Sequence, residues 1–202
     1  MGMVQVKNIT KVSDNSKRYD ITVADNHNYF ADGVLVHNCT MYRDHIHARS
    51  LDSRHHPSRD WIKNLHGRMK HKIPEGWRIC GENMFAEHSI RYENLPSYFL
   101  VFSVWNDENY ALSWDETVEW CEMLDLEHVP VLWRGEWDVE KIREVEEGLD
   151  TDQQEGYVVR TAEGFHYESF QTSLAKMVRR GHVQTDEHWM HQEVVPNGLA
   201  DD

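Results

Sequence analysis

Residues 77–85, with the sequence WRICGENMF, and residues 98–105, with the sequence YFLVFSVW, decide the fold of this chain. Both runs are rich in aromatic and β-branched side chains, which favour extended backbone. We therefore predict two strands here. They would belong to a domain of antiparallel sheets with flanking helices.

Three helices are expected around these strands. Residues 61–66 form a plausible first helix. Ser113 and Glu116 have the spacing of a capping box, which opens an amphipathic helix that extends to about residue 126. The third helix is predicted over residues 138–149, where apolar side chains recur on one side.

The rest of the C-terminal region is expected to add short strands and a loose end. The predicted strands cover residues 129–133, 155–160, 164–169 and 175–178. The tail after Pro196 is expected to be frayed.

Residues 1–38 have a different pattern from the rest. Short β-rich runs alternate with Asn, Asp and Gly turns, which is typical of a small all-β piece. A segment of this length buries too little surface for an independent core, so it is expected to need a partner. The predicted fold class is α+β, with one domain at residues 1–38 and a second at residues 39–202.

The charge of the chain is strongly acidic and unevenly placed. Residues 1–38 are neutral, so residues 39–202 carry the whole net charge of −14. This acidity argues against broad nucleic-acid binding, which depends on Lys and Arg, unless a local basic groove exists. No apolar run approaches the roughly 20 residues that span a bilayer, and no signal peptide is evident, so we expect no membrane partner and a cytoplasmic location.

Residues 37–39, with the sequence His-Asn-Cys, contain the groups needed to cleave and rejoin a backbone. The carboxamide nitrogen of Asn38 can attack its own carbonyl carbon, close a succinimide and release the following residue. His37 and His27 are the candidate acid–base groups, since imidazole titrates near neutral pH. Cys39 supplies a thiol that can accept an acyl group.

The run of residues 18–39 resembles the last two conserved blocks of inteins, and in particular the C-terminal fragment of a split intein with the Hint-type fold. The matching features are a strand YDITV at residues 19–23, a turn DNHNYF at residues 25–30, and the terminal His-Asn followed by a nucleophile. The resemblance implies protein trans-splicing. It also implies that Asp20 helps to activate the upstream splice junction.

Five motifs after Cys39 resemble, in order, those of ATP-dependent RNA ligases of the phage RNA ligase 2 and editing-ligase type, which are covalent nucleotidyltransferases. The motifs are RDHIHARS at 43–50, CGENM at 80–84, FLVF at 99–102, EGYVVR at 155–160 and AKMVR at 175–179. The resemblance implies an enzyme that seals 5′-phosphate and 3′-hydroxyl ends of RNA. The intermediates would be lysyl-AMP and RNA-adenylate.

The same resemblance implies a site for ATP and Mg²⁺. Glu82 would hold the ribose and Phe102 would stack on adenine. Glu155 would hold the metal, and Lys176 would neutralise the α-phosphate as the catalytic residue of ligation. The remaining nucleotide-binding residues would be Arg49, Ser50, Arg160 and Arg179. Val178 stands where many relatives carry a second basic residue, so either Arg179 or Arg180 could complete the fifth motif.

The nucleophilic lysine of such ligases lies in a K-x-D-G tetrapeptide, and the sequence contains none. Residues 34–38 occupy its expected place and belong to the predicted intein. We therefore expect an N-terminal partner chain that carries K-x-D-G followed by an N-intein. Trans-splicing would join it to Cys39, and the unspliced chain is expected to be inactive as a ligase.

Two other interpretations stay open. The chain could be a splicing element on a non-catalytic nucleic-acid-binding cargo, or part of a DNA ligase or a capping-type nucleotidyltransferase. Only 26 residues follow Lys176, too few for an OB-fold domain, which favours the short RNA-ligase type.

Overall fold

The computed structural model describes residues 38–48, 59–87, 90–178 and 194–200. Within them the chain forms a large, mostly antiparallel sheet, a small two-stranded sheet and four α-helices. The predicted α+β class and the antiparallel sheets with flanking helices are confirmed. The predicted all-β domain at residues 1–38 lies almost wholly outside the described residues.

The large sheet has seven strands in this part of the chain. Six follow the order β2-β1-β3-β4-β5-β8, and β6 pairs with β4 in parallel. Their bounds are β1 Asn38–Tyr42, β2 Ile46–Ala48, β3 Arg78–Asn83, β4 Phe99–Trp105, β5 Tyr110–Ala111, β6 Glu127–His128 and β8 Phe165–His166. The predicted strands at residues 77–85 and 98–105 thus correspond to the adjacent central strands β3 and β4.

A bulge at Gly81 shapes the centre of this sheet. The β3–β4 register shifts between Cys80 and Gly81. A Cβ atom at Gly81 would lie 2.6 Å from Phe99 Cζ and 2.7 Å from the carbonyl oxygen of Leu100. Glycine is therefore needed here, because it alone lets the Phe99 ring pack directly on the backbone of β3.

Helices α1 (Asp60–Met69) and α2 (Trp114–Leu124) cover one face of the large sheet. The core between them and the sheet includes the buried side chains Met41, Ile62, Ile79, Phe99, Val101, Cys121 and Leu124. The capping box of α2 is present as predicted, with Ser113 and Glu116 each bonded to the other's backbone N–H. This layer leaves the opposite face of the sheet for the functional groups.

The small sheet is a pair of antiparallel strands, β7 (Gly156–Arg160) and β9 (Leu174–Val178). Helix α3 (Val139–Glu147) precedes it, with Asp138 as the N-cap. A short helix, α4 (Phe170–Ser173), leads into β9. Phe165 of β8 and Trp105 of β4 pack together beside this small sheet.

Three sequence expectations about the C-terminal region are wrong. The predicted strand at residues 164–169 is limited to β8, Phe165–His166, and Tyr167–Ser169 form a 3₁₀ helix. Residues 129–133 do not form a strand: Val129 donates one bond to the Val101 carbonyl, and Leu132 and Trp133 beyond it are exposed. The tail after Pro196 is not frayed, because Asn197 is buried and bonded to the loop at residues 84–92. In the part of the chain described, no helix is long and apolar enough to cross a membrane.

Candidate active site

The candidate site lies on the face of the large sheet opposite α1 and α2. Cys39 and Met41 of β1 point into the core, so the alternate residues Thr40 and Tyr42 lie on this opposite face. The antiparallel register sets β1 residues opposite β3 residues: Asn38 opposite Glu82, Thr40 opposite Cys80, and Tyr42 opposite Arg78. Side chains at opposed positions share a face, which places Glu82 here.

The side chains that line this face of the sheet were not predicted from the sequence. Thr40 Oγ1 lies 3.8 Å from Cys80 Sγ, and the Arg78 guanidinium lies 4.6 Å from the centroid of the Trp105 ring. Trp105 Nε1 donates to Ser103 Oγ at 3.0 Å. The alternation of polar residues at 78, 80 and 82 is the sequence signal that could have revealed them.

The small sheet supplies the other groups of the site. Glu155 is half-buried immediately before β7, and Lys176 lies in β9 opposite Val158. These two residues belong to different motifs of the sequence. The pairing of β7 with β9 places both motifs at one small sheet.

The charges of Glu155 and Lys176 at the small sheet act on the carboxyl of Glu82 in the large sheet. Burial raises the pKa of the Glu82 carboxyl to about 7, the nearby Lys176 ammonium opposes that rise, and the Glu155 carboxylate adds to it. The three predicted site residues therefore lie close enough to influence one another. An ammonium group suits phosphate oxygens and carboxylates suit a hard cation, so this donor set fits a nucleotide with Mg²⁺.

Arg160 connects the small sheet to the large one. Its guanidinium donates to the carbonyl oxygens of Phe102 at 3.2 Å, Leu112 at 3.1 Å and Thr161 at 3.1 Å. It also lies 5.8 Å from the centroid of the Trp114 ring. Burial lowers the pKa of this group. Three of its five N–H donors thus bind backbone, which holds β7 against β4.

A sequence model of the family described as RNA ligase matches residues 32–178 of the chain. This match covers well over half of the 202 residues. The chain belongs to the RNA ligase family. No curated protein and no solved structure matches it.

Phe102 is the last of the predicted nucleotide-binding residues that lies in the part of the chain described. It is half-buried in β4 at the bulge, where the register passes from Ser103 to Val101. Its carbonyl oxygen accepts a bond from Arg160. Its stacking on adenine stays a prediction, as does nucleotide binding by Arg160.

Several predicted site residues lie outside the described residues. They are Asp20, His27 and His37 of the splicing set, and Arg49, Ser50 and Arg179 of the nucleotide set. Among the residues that the structure describes, no three His, Cys, Asp or Glu side chains form a metal-binding group. Metal binding therefore stays a prediction, and the Glu155 carboxylate is the one predicted ligand.

Cys39 lies in the core of this RNA ligase domain. It is 2% exposed, and burial raises the pKa of its thiol to about 11. Strand β1 is bonded on both sides, with Cys39 opposite Gly81 of β3 and Ala48 of β2. In this arrangement the thiol is neither accessible nor ionised at neutral pH, so it is not a nucleophile.

Proposed function

We propose that this chain is the larger part of an ATP-dependent RNA ligase that joins 5′-phosphate and 3′-hydroxyl ends through lysyl-AMP and RNA-adenylate intermediates. The observation that carries the proposal is the convergence of Glu82, Glu155 and Lys176 from three separate sequence motifs. Membership of the RNA ligase family supports it.

The proposed division of labour follows from the chemistry of each side chain. Lys176 neutralises the α-phosphate, where charge develops during adenylyl transfer. Glu155 binds Mg²⁺ and Glu82 accepts hydrogen bonds from ribose hydroxyls. Bound ATP with Mg²⁺ supplies the adenylyl group. Arg160 keeps the small sheet of Glu155 and Lys176 against the large sheet that carries Glu82.

Residues 1–38 are proposed to be the C-terminal fragment of a split intein. The support is the sequence run that ends in His37, Asn38 and Cys39, together with the absence of a K-x-D-G tetrapeptide from the sequence. A companion chain would supply K-x-D-G and an N-intein. Cyclisation of Asn38 would release residues 1–38, and the acyl group on the Cys39 sulfur would shift to its nitrogen.

The burial of Cys39 implies an order for these events: joining precedes the docking of β1 into the ligase sheet. A chain diluted from urea directly into the companion should therefore join at least about tenfold faster than a chain folded beforehand, because folding ties β1 between β2 and β3. Joining is measured by gel mobility, and alkylation of Cys39 by peptide mass spectrometry. Equal joining rates for both samples would contradict this order without affecting the ligase proposal.

The decisive experiment mixes the chain with a companion that ends in K-x-D-G followed by an N-intein, and then adds ATP labelled at the α-phosphate. We expect a joined product that keeps the label on lysine and seals nicked RNA. Asn38→Ala should block release of residues 1–38. A joined product without label would favour a non-catalytic cargo, and sealing of nicked DNA alone would favour a DNA ligase.

Lys176→Ala in the joined product tests the site itself. Loss of a charge that stabilises the transition state should reduce the rate of lysyl-AMP formation about 100-fold or more. Lys141→Ala is the matched control, because Lys141 lies on exposed helix α3, where it pairs with Glu144. Equal adenylation rates for the two variants would remove Lys176 from the mechanism.

A further inference from the structure

We propose that Tyr42, His45 and His47 form a stacking platform for an unpaired base of the RNA strand whose end lies beside the nucleotide site that contains Glu82. This inference rests on the RNA ligase function proposed above. It names a contact for the body of the substrate, separate from the groups that bind ATP.

The three rings are close together and nearly parallel. The Tyr42 and His45 centroids are 4.5 Å apart with planes 9° from parallel. The His47 ring lies 5.8 Å from Tyr42 and 6.0 Å from His45, tilted by 28° and 22°. The His45 side chain is 51% exposed, so the group presents an open ring surface to solvent. A base can add to such a surface by offset stacking.

The register places this ring group on the same face as the candidate site. His47 is opposite Thr40, and Tyr42 is opposite Arg78, in the two rows that follow the Asn38–Glu82 row. Tyr42 is four steps along β1 from Asn38, the residue opposite Glu82, which is about 14 Å of strand. At a rise of about 3.4 Å per nucleotide, about four stacked nucleotides cover that distance.

Charge around the rings is balanced, which favours stacking over phosphate binding. Arg43 is exposed beside Tyr42, while Asp44 pairs with His45 at 2.7 Å. The Arg78 guanidinium is engaged by the Trp105 ring and by Asn109. Among the residues that the structure describes, few cations therefore face a passing backbone. The contribution of the rings to RNA affinity should depend weakly on salt.

The test measures binding of 5′-phosphorylated single-stranded RNA to the full-length chain by fluorescence anisotropy. For an eight-nucleotide RNA, His45→Ala should weaken binding about 5- to 30-fold. His45→Phe keeps an aromatic ring and should bind within about twofold of the unsubstituted chain. His71→Ala is the matched control, because His71 is exposed on the 3₁₀ turn after α1, on the side of the sheet away from the site.

The dependence on RNA length sharpens the test. Two stacked nucleotides cover about 7 Å, which is too short to reach from the nucleotide site at Glu82 to the stacked rings of Tyr42 and His45, so His45→Ala should not change the binding of a two-nucleotide RNA. The proposal fails if His45→Ala matches His71→Ala on the eight-nucleotide RNA, or if His45→Phe binds as weakly as His45→Ala. Lysyl-AMP formation by the joined product is measured without RNA, so failure of the ligase function is detected separately.

Discussion

Glu82 is the residue whose environment departs most from that of an ordinary surface carboxylate. It lies on the face of the sheet opposite α1 and α2, together with Cys80 and Thr40, and burial raises the pKa of its carboxyl to about 7, with Lys176 opposing the rise. A carboxyl that titrates near neutral pH changes charge in the range where enzymes work. Binding of ribose hydroxyls and folding stability should therefore both respond to pH through this group.

Glu82→Gln should make the stability of the chain less dependent on pH. The folded-state pKa lies above the unfolded value of about 4.5, so the folded chain binds more protons between these two pH values. The free energy of unfolding should fall by about 3 kcal/mol as pH rises from 4.5 to above 7. Glu82→Gln should abolish that fall, as measured by urea unfolding at pH 5 and pH 8.

The exposed carboxyl of Glu75 provides the control for this measurement. Glu75→Gln should keep the pH dependence of the unsubstituted chain. A Glu82→Gln profile that follows the Glu75→Gln profile would mean that Glu82 titrates normally in the folded state. Lys176→Met removes the ammonium that lowers the pKa of Glu82, so this pKa should rise further. The loss of stability should then extend to a higher pH than in the unsubstituted chain.

At the scale of elements, Arg160 fixes the small β7–β9 sheet to the large sheet. Its bonds to the Phe102 and Leu112 carbonyls cross between the two sheets. The site depends on this connection, because Glu155 and Lys176 belong to the small sheet and the segment just before it, and Glu82 belongs to the large sheet. If the small sheet detached, the three groups would separate even if each strand stayed intact.

Arg160→Leu should destabilise the chain by about 2–3 kcal/mol, because it removes a charged donor from two inward-facing carbonyls. In the joined product it should also lower the rate constant for adenylation more than it raises the ATP concentration at half-saturation. Arg160→Lys should recover part of both losses. Arg143→Leu on exposed α3 is the control and should change stability by less than about 0.5 kcal/mol. Equal unfolding midpoints for Arg160→Leu and Arg143→Leu would show that the Arg160 bonds do not hold the two sheets together.

At the scale of the whole molecule, the C-terminal segment packs against the connection between β3 and β4. Asn197 is 4% exposed, and its side chain accepts from the Tyr92 backbone N–H and donates to the Met84 and Ala86 carbonyls. Its own carbonyl accepts from the Tyr98 hydroxyl at 2.7 Å. The end of the chain thus holds the long connection between β3 and β4 in place.

Asn197→Ala should reduce the free energy of unfolding by about 2–3 kcal/mol, since the Tyr92 N–H and two carbonyls lose their partner inside the protein. The measurement is urea unfolding of the full chain. Asn94→Ala lies at an exposed position of the same connection and should be nearly neutral. If Asn197→Ala were as stable as Asn94→Ala, the C-terminal segment would not contribute to the fold.

Features that depend on nearby residues could be predicted from the sequence. The capping box of Ser113 and Glu116 spans one turn, so the start of α2 follows from local hydrogen bonding. The predicted strand at residues 129–133 is wrong because a strand requires a partner, and pairing here ends at the bond from Val129 to Val101. The order of the C-terminal tail could not be predicted either, because Asn197 is held by residues more than 100 positions earlier in the chain.

The order of the ligase motifs and the groups of the His-Asn-Cys tripeptide were determined by the sequence alone, because covalent order and side-chain chemistry do not depend on folding. Only the tertiary structure decided that Glu82 lies near enough to Lys176 and Glu155 to be influenced by their charges. It also decided that Arg160 binds backbone carbonyls and that Cys39 is buried. Each of these depends on strand pairing between remote segments. That pairing is set by how the whole core packs, and no local pattern records it.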